Sequence, residues 1–369
     1  MPHFLTSDGA RARSSTMELV CSTKVDDAEY GQFLDAFASQ PGTALAYHYP
    51  FYLRFLAETA YPGSVPRFVT VRSGAGDLVG VLPGLHVQTS RVSVWLSLAY
   101  FGPNAGALVR GHDTPSGAEF VRALVGGAYA DACDRGCGSM TIYTPIAADP
   151  GAYRAGLGTV DFEVPRTTQW MTIPASADQS PWPRKVRYDM RRAASLGVSV
   201  RAIASVTELD VVWDIYHARC TEGGIPIKPR DHVRRLFETA HDQGVFLVAE
   251  QRGAILAGLI CLMGGGVLSY YLPCSRRDKR ALQPGLLLLD HAVAIGRARG
   301  CRLLNFEASP SVASSVVRFK ARCGAQPADY RILVKLLHPG VADHYRALTT
   351  EGLQREAPHA FVVPFDALK

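Results

Sequence analysis

The sequence predicts a mixed α/β protein made of two consecutive units with the same order of elements. Its 369 residues exceed what a single hydrophobic core usually organises. Hydrophobic residues make up 47% of the chain and charged residues 20%, which is typical of a folded globular protein. A stretch that begins at Phe68, FVTVRSGAGDLVGVL, resembles another that begins at Phe246, FLVAEQRGAILAGLI. Their separation, about half the chain, favours two units.

Both stretches are typical of β-hairpins. In each, an apolar or β-branched run leads to a glycine-containing turn and a second apolar run, with Gly80 or Gly258 twelve residues after the phenylalanine. We interpret the pair as an internal duplication. Chance similarity is the alternative, because hairpin turns draw on the same few residue types.

The segments around the hairpins repeat as well. A helix-like segment precedes each hairpin, at 47–60 and 229–244. An amphipathic helix that ends in glycine and runs into a short strand follows each hairpin, within 116–145 and 281–309. This order predicts two α+β or mixed α/β units, each with a central sheet.

The expected domains are residues 1–160 and 165–335, and residues 336–369 are expected to return to the first domain. Pro, Gly, Ser and Asp cluster between 145 and 182. Such clusters usually mark loops, so the linker between the units is expected there.

The charge is distributed unevenly. Residues 1–160 carry 11 Lys and Arg against 13 Asp and Glu, and the remainder carries 28 against 20. The positive excess of the second half favours a phosphate-bearing partner such as a nucleotide sugar, CoA or RNA. Composition favours neither DNA binding nor membrane insertion.

Several other features bear on the compartment. No run of 18 apolar residues occurs, and the first twenty residues lack the apolar segment of a signal peptide. The eight cysteines are scattered, mostly within apolar stretches, so we expect buried thiols in the cytoplasm rather than disulfides. The only close pair, Cys133 and Cys137, has no metal-ligand spacing or histidine partner, and no metal site is expected.

A strongly basic segment opens the second unit, PWPRKVRYDMRRAASLGVSVRAI. Pro183 suits a helix start and Gly197 a helix end. Within the helix lie five cations and one acid: Arg184, Lys185, Arg187, Arg191, Arg192 and Asp189. Guanidinium groups bind phosphate oxygens in pairs, so this helix is a candidate surface for a polyanion. A solvated charged helix face is the alternative.

A glycine-rich loop, SLAYFGPNAGALV, follows an apolar strand in the first unit. Its Gly-Pro turn would expose Tyr100, Phe101 and Asn104, and its glycines would let a ligand approach the backbone. We consider these three residues candidates for substrate binding, with an ordinary turn as the alternative.

The segment NFEASPSVASSVVRFKARCGA places a lysine on an apolar helix face. A helix is expected to begin near Ser311 or Ser314. Lys320 lies one turn after Val316 and so shares its largely buried face. A lysine held there beside a cleft would suit an oxyanion; alternatively its ammonium would reach solvent along its aliphatic stem.

Two carboxylates are candidate general bases. Glu307 follows a strand within reach of the helix that carries Lys320, and capping of that helix is the alternative role. Asp290 lies within a helix beside His291, and an ordinary surface position is its alternative. Tyr270 and Tyr271 are candidates for lining the cleft, although paired aromatics on a strand often serve packing alone.

In combination, KVRYDMRRA, YFGPNAG, GVFLVAEQRGAILAGLI and FK followed by CGA resemble the FemABX family and its relatives, over roughly residues 40–335. The resemblance implies two tandem GNAT-like domains. It also implies an N-acyltransferase that moves an aminoacyl group from tRNA to an amine of a cell-envelope or antibiotic precursor. Lys320 would stabilise the tetrahedral intermediate, Phe319 would shape the channel, and the basic helix with Arg184, Arg187 and Arg191 would contact RNA or an acceptor phosphate.

Two departures from the family keep alternatives open. No long heptad segment interrupts 200–245, so the helical arm of some members is missing. The acetyl-CoA loop of single-domain relatives survives only as RALQPGLLLLD: Arg280 and Gly285 fit, whereas Pro284 lacks an N–H and Leu287 replaces a glycine. Aminoacyl-tRNA is therefore the expected co-substrate, with no other cofactor. The alternatives are an acyl-CoA-dependent enzyme and a non-catalytic ligand-binding protein.

Overall fold

The computed structural model describes residues 17–39, 44–89, 92–97, 106–111, 114–225, 227–308 and 315–349, and Gly352. In the first half the elements are β1 (Glu18–Ser22), α1 (Asp27–Asp35), a 3₁₀ turn Ala46–His48, α2 (Pro50–Thr59), β2 (Val65–Arg72), β3 (Leu78–Gln88), β4 (Ser93–Leu96), β5 (Leu108–Val109), α3 (Pro115–Asp134), β6 (Ser139–Tyr143), α4 (Gly151–Leu157) and β7 (Phe162–Thr172).

The second half repeats this order. Its elements are α5 (Arg184–Ser195), β8 (Ser199–Ala202), α6 (Val206–Gly223), α7 (Arg230–Thr239), β9 (Gly244–Gln251), β10 (Ala254–Gly264), β11 (Val267–Ser275), a 3₁₀ segment Arg277–Leu282, α8 (Pro284–Ala298), β12 (Leu303–Asn305), α9 (Ser315–Arg322), β13 (Gln326–Leu336) and α10 (Gly340–Arg346).

All strands of the described residues belong to one mixed sheet. Its order is β1-β2-β3-β4-β6-β13-β7-β12-β11-β10-β9-β8, and β5 pairs with β3. The two halves exchange their last strands: β13 pairs with β6 of the first half, and β7 pairs with β12 of the second. The exchanged strands pair with each other from Gln326–Trp170 to Val334–Phe162. The sheet therefore runs without a break through the middle of the protein.

The expected linker is shorter than predicted, because within 145–182 the longest stretch without a helix or strand is 173–182, between β7 and α5. The segment 145–182 contains α4 and the central strand β7. Its interior-facing positions include the buried polar residues Thr168 and Gln169, whose side chains bond to Asn305 and to the Val317 carbonyl. Because Thr168 and Gln169 are polar although they are buried, β7 lacks the alternation of apolar and polar residues that identifies a half-buried strand. Their partners are distant in sequence, so no local pattern indicates these hydrogen bonds.

Both predicted hairpins form, but their glycines are not equivalent. Phe68 packs against Tyr30 of α1, and Phe246 packs against Phe237 of α7, so each ring contacts a helix that precedes its hairpin. A Cβ on Gly80 would lie 3.1 Å from Leu124 of α3, whereas a Cβ on Gly258 would lie 2.3 Å from Val212 of α6. The turn of the first hairpin is longer than that of the second. Phe68 pairs with Pro83, fifteen residues later, whereas Phe246 pairs with Ile260, fourteen residues later. This difference of one residue in register places the two glycines on opposite faces of the sheet.

Buried apolar side chains form three clusters among the described residues. One spans both halves and includes Leu53 of α2 and Val233 of α7. A second lies under α8, and a third lies under α3. The continuity of the first cluster joins the two halves through apolar packing as well as through strand exchange.

Candidate functional site

Lys320 lies on the inner face of α9, as the spacing from Val316 predicts. Its side chain is buried, with 2% of its surface exposed. The ammonium donates hydrogen bonds to the backbone carbonyls of Glu307 at 2.6 Å and of Ala308 at 3.3 Å. Burial lowers the pKa of Lys320 to about 8, partly offset by the negative charge of Glu307. The lysine is therefore a desolvated cation that still carries its proton at neutral pH.

A cavity of about 340 Å³ lies beside Lys320. Its lining includes Phe319 and Lys320 of α9 and the start of α8. Four cations face it, namely Arg219, Arg280, Lys320 and Arg322, and no carboxylate is among its described lining residues. This charge balance suits an anionic ligand.

The start of α8 is open toward this cavity. Gln283 precedes the helix in the left-handed conformation (φ 53°) and provides no side-chain cap. Pro284 has no N–H, and a Cβ placed on Gly285 would meet nothing within 4 Å. The positive end of the helix dipole thus faces space that a ligand can occupy.

Glu307 follows β12 and connects the two halves. Its backbone is left-handed (φ 61°), and its N–H donates to Asn305 Oδ1 at 3.0 Å. The hydroxyl of Tyr47, from the first half, donates to Glu307 Oε1 at 2.6 Å, and Asn305 Nδ2 donates to the same oxygen at 3.2 Å. Burial raises the pKa of Glu307 to about 7, although the Tyr47 hydrogen bond and the Lys320 charge oppose this shift. A carboxylate with this pKa suits a general base near neutral pH.

Tyr270 and Tyr271 point in different directions. In the pairing of β10 with β11, the single residue Cys261 lies opposite both tyrosines, so β11 has a β-bulge at this point. Tyr270 packs against Phe306 and lines the cavity. Tyr271 does not line the cavity; its hydroxyl bonds to His232 Nε2 at 2.7 Å.

The structure adds a buried polar cluster that the sequence reasoning missed. His232 joins Tyr271 to Thr59 of the first half, whose hydroxyl lies 2.9 Å from Nδ1. The Lys228 ammonium lies 4.9 Å from the centre of the Tyr271 ring. Burial lowers the pKa of Lys228 to about 8. The sequence offers one signal for this cluster: Lys228 is the only charged residue of the run GIPIKP. A search for charged residues within apolar stretches would find it.

The basic helix α5 presents its cations to solvent. Val186, Met190 and Ala193 are buried, and the five cations are exposed on the remaining faces. Tyr188, 60% exposed, lies among them. Asp189 pairs with Arg322 of α9. The helix thus combines exposed cations and an aromatic ring on an element that is tied to the one carrying Lys320.

Other candidates are placed differently. Tyr100, Phe101 and Asn104 lie outside the described residues. The segment just after them begins at Gly106, whose carbonyl lies 3.0 Å from His48 Nε2. Asp290 accepts a hydrogen bond from the Trp182 indole at 2.6 Å and does not line the cavity. Cys133 is exposed, Cys21 is partly buried, and the other six cysteines are buried free thiols.

A larger cavity, of about 1090 Å³, lies in the first half. Its walls come from β5, α3, α4 and the loop after β6, and Trp170 of β7 closes one side. Most lining residues are apolar, and the charged ones are Glu119, Arg122 and Asp149. The cavity adjoins Ala107, next to Gly106, and Trp170 pairs with Asn305, two residues before Glu307.

Comparison with known proteins agrees with this architecture. Residues 183–312 match the family model described as Acetyltransferase (GNAT) domain. No curated protein matches the sequence significantly. In the described part of the chain, no helix is both long and apolar enough to span a bilayer.

Several solved structures share the whole fold. The structure of FemX aligns with 85% of this chain and 96% of its own, at 12% identity and a TM-score of 0.66. A tandem GNAT protein from the clavulanic acid biosynthesis pathway aligns with 88% and 99%, at 20% identity and a TM-score of 0.54. The C-terminal domain of a putative lysylphosphatidylglycerol synthetase from Agrobacterium fabrum aligns with 92% and 99%, at 13% identity and a TM-score of 0.53.

These matches confirm the predicted fold and the acyltransferase class. The likeness to FemX and to the tandem GNAT protein extends over both halves. The family model covers residues 183–312, which include α8 and most of the cavity lining but not Lys320. The chain has a FemABX-like tandem GNAT fold, and residues 183–312 match the GNAT acetyltransferase domain model.

Proposed function

We propose that the protein transfers an aminoacyl group from aminoacyl-tRNA to an amine and so forms an amide. The observation that carries this proposal is the exposed basic face of α5, with Tyr188 among its cations. Cationic side chains bind the phosphates of a nucleic-acid backbone, and an exposed aromatic ring can stack on an unpaired base. The Asp189–Arg322 pair ties this face to α9 and its Lys320. Arg322 also lines the cavity, so the basic helix lies next to the proposed transfer site.

The residues support direct transfer without a covalent enzyme intermediate. The acceptor nitrogen attacks the ester carbonyl, the C–N bond forms, and the negative charge of the tetrahedral intermediate is stabilised by Lys320. The C–O bond to the ribose then breaks. The nitrogen loses one proton and the departing ribose oxygen gains one, so the reaction is balanced without another co-reactant.

The large first-half cavity is the proposed place for the body of the acceptor. Its apolar walls suit an amine-bearing small molecule, and its end at Trp170 lies beside the strand that leads to Glu307. The neighbour from the clavulanic acid pathway supports testing antibiotic precursors first. Cell-envelope precursors, which the resemblance to the FemABX family implies, are the second class to test. Since charged tRNA is cytoplasmic, the proposal places the protein in the cytoplasm.

Acyl-CoA is the second candidate donor, and a specific observation favours it. The uncapped start of α8 and the guanidinium groups of Arg219 and Arg280 border the cavity. A helix N-terminus combined with arginines is a suitable site for a pyrophosphate. Pro284 removes one of the N–H groups that would hold it.

Paired binding titrations distinguish the donors. Charged total tRNA and acetyl-CoA are each titrated against the protein over a salt series, using a variant with Arg184, Arg187 and Arg191 changed to Gln. The matched control changes three exposed arginines of α2, α7 and α10 to Gln, namely Arg54, Arg235 and Arg346. Both variants lose three positive charges, so a difference between their tRNA affinities would indicate a localised RNA site on α5.

We expect tRNA binding that weakens steeply with salt and falls at least 10-fold in the α5 variant but little in the control. Binding of acetyl-CoA alone, with loss on Arg280→Gln, would replace the tRNA proposal by the acyl-CoA enzyme. Equal effects of the two triple variants would show that tRNA binding reflects net charge rather than α5.

A further inference from the structure

Tyr47 is held rigidly in the first half, in a short turn before α2. The Leu45 N–H donates to His48 Nδ1 at 3.0 Å, so the proton of His48 lies on Nε2, which donates to the Gly106 carbonyl at 3.0 Å. Burial lowers the pKa of His48 to about 4, so the ring stays neutral. The tyrosine ring packs against Tyr52, with ring centres 4.9 Å apart.

The turn that carries Tyr47 rests directly on a turn of the second half. Gly265 and Gly266 connect β10 and β11 with positive φ angles of 56° and 76°, which only glycine adopts easily. A Cβ on Gly264 would lie 2.6 Å from the backbone of Ala46, and one on Gly265 would lie 2.4 Å from Ala44. The lack of side chains at these glycines lets the two halves come together at Tyr47.

The two carboxylate oxygens of Glu307 differ in the number of hydrogen bonds that they accept. Tyr47 and Asn305 both donate to Oε1. Within the described residues no hydrogen bond of normal geometry reaches Oε2, although the Ser269 hydroxyl lies near the carboxylate and favours its ionised form. Glu307 is only partly buried. Tyr47 keeps its proton, because burial and the nearby Glu307 charge raise its pKa well above the ordinary value. Oε1 is therefore held by a permanent donor, and Oε2 remains able to accept a proton.

We propose that Tyr47 is a positioning residue that fixes Glu307 so that Oε2 takes the proton of the attacking amine. This inference rests on the proposed transfer reaction. As the C–N bond forms, one N–H proton moves from the amine to Oε2, and it leaves later with the departing hydroxyl. The first half thereby supplies a part of the transfer site that the second half lacks.

The pH dependence follows from the groups around Glu307. The titratable groups that interact electrostatically with it come from both halves: Tyr47, Tyr52, Lys228, Cys261, Lys320 and Tyr330. The two lysines and the Tyr47 hydrogen bond favour the ionised carboxylate, and burial opposes it. Removal of the Tyr47 hydroxyl should therefore raise the pKa of Glu307.

The test is a carboxyl titration of the full-length protein. Glutamate is labelled with ¹³C at its carboxyl carbon, and the resonance of Glu307 is assigned by its loss in Glu307→Gln. We expect Tyr47→Phe to move the midpoint upward by about one pH unit, the effect of one hydrogen bond to a charged group. With the donor identified above, kcat at neutral pH should fall about 10-fold, the acid limb of the pH profile should move upward, and KM should change little.

Tyr30→Phe is the matched control. Tyr30 is another buried first-half tyrosine, and its hydroxyl has no hydrogen-bond partner among the described residues. This variant should move neither the Glu307 midpoint nor kcat. Gly264→Ala provides a second variant should Tyr47→Phe fold poorly: it keeps the hydroxyl but displaces Ala46, and the same upward shift is expected.

An unchanged Glu307 midpoint in both variants would overturn the proposal. A shifted midpoint with unchanged kcat would do so as well, because the hydrogen bond would then be structural only. In the Glu307→Gln background, Tyr47→Phe should cause no further loss of kcat. Because the titration needs no donor, an error in the proposed donor would leave its result intact.

Discussion

Lys320 combines burial, charge and two hydrogen bonds to backbone carbonyls, and these features make separate predictions. Changing Lys320 to Met should lower transfer about 10²–10³-fold, the usual effect of removing one stabiliser of an oxyanion. Donor affinity should change little, since the other cations of the cavity remain. Single-turnover transfer and donor titration measure the two quantities separately.

Lys335 offers a matched control for this variant. It is also buried, on β13, and donates to the carbonyl and the hydroxyl of Thr159 at 2.8 Å each. Lys335→Met should cost comparable stability in urea unfolding and leave transfer unchanged. A similar loss of transfer in both variants would mean that Lys320 acts through the fold.

Glu307 should make stability depend on pH. Its pKa is about 7 in the folded protein and near the ordinary value of 4.5 in the unfolded chain. The unfolded chain therefore ionises first, and the free energy of unfolding contributed by Glu307 falls as pH rises from 4.5 to 7. The free energy of unfolding of the wild type should therefore fall relative to that of Glu307→Gln across this window, by on the order of 3 kcal/mol.

Urea unfolding at several pH values measures this difference. Lys320 and Lys228 titrate at higher pH and are present in both proteins, so they cancel. Parallel stability curves would show that Glu307 has an ordinary pKa.

Single residues were predictable where a local pattern indicates them. Lys320 could be recognised because it lies one turn from Val316 on an apolar face. Tyr47 could not, because its partner Glu307 is 260 residues away and no local pattern links the two. The same holds for Tyr271 and His232, whose hydrogen bond depends on a β-bulge that is visible only in the pairing of the strands.

At the scale of elements, helices α5 and α8 were predictable and β7 was not. The spacing of Val186, Met190 and Ala193 identifies one face of α5, and proline and glycine mark its ends. In β7, the residues that face the interior include Thr168 and Gln169, which find polar partners in the other half. Their polarity made the segment resemble a linker.

The start of α8 gives a prediction of its own. Gly285→Ala should stabilise the protein by about 0.5–1 kcal/mol, because alanine favours the helix and its Cβ meets no neighbour. The methyl group would enter the cavity, so affinity for acetyl-CoA should fall if CoA binds there, whereas tRNA contacts on α5 should persist. Thermal unfolding and the two donor titrations test this, and unchanged affinity for both donors would place their binding away from α8.

At the scale of the whole molecule, the exchanged strands make the two halves depend on each other. Because β13 completes the first half and β7 completes the second, neither half can lose its structure without removing a strand from the other. We expect calorimetry of the full chain to show one cooperative transition. Two well-separated transitions would show instead that the halves are stable independently. The domain boundaries 1–160 and 165–335 remain a prediction from the sequence, and calorimetry does not test them.

The strand exchange also bears on how the chain is made. On the ribosome, β6 emerges long before β13, the strand that covers its edge, so the nascent first half carries an open sheet edge until β13 has been synthesised. Open edges are templates for pairing with other chains. Incomplete translation products would then be association-prone fragments rather than partly active enzymes. Slow codons or stalling before β13 would reduce the yield of folded protein more than the same delay placed after it.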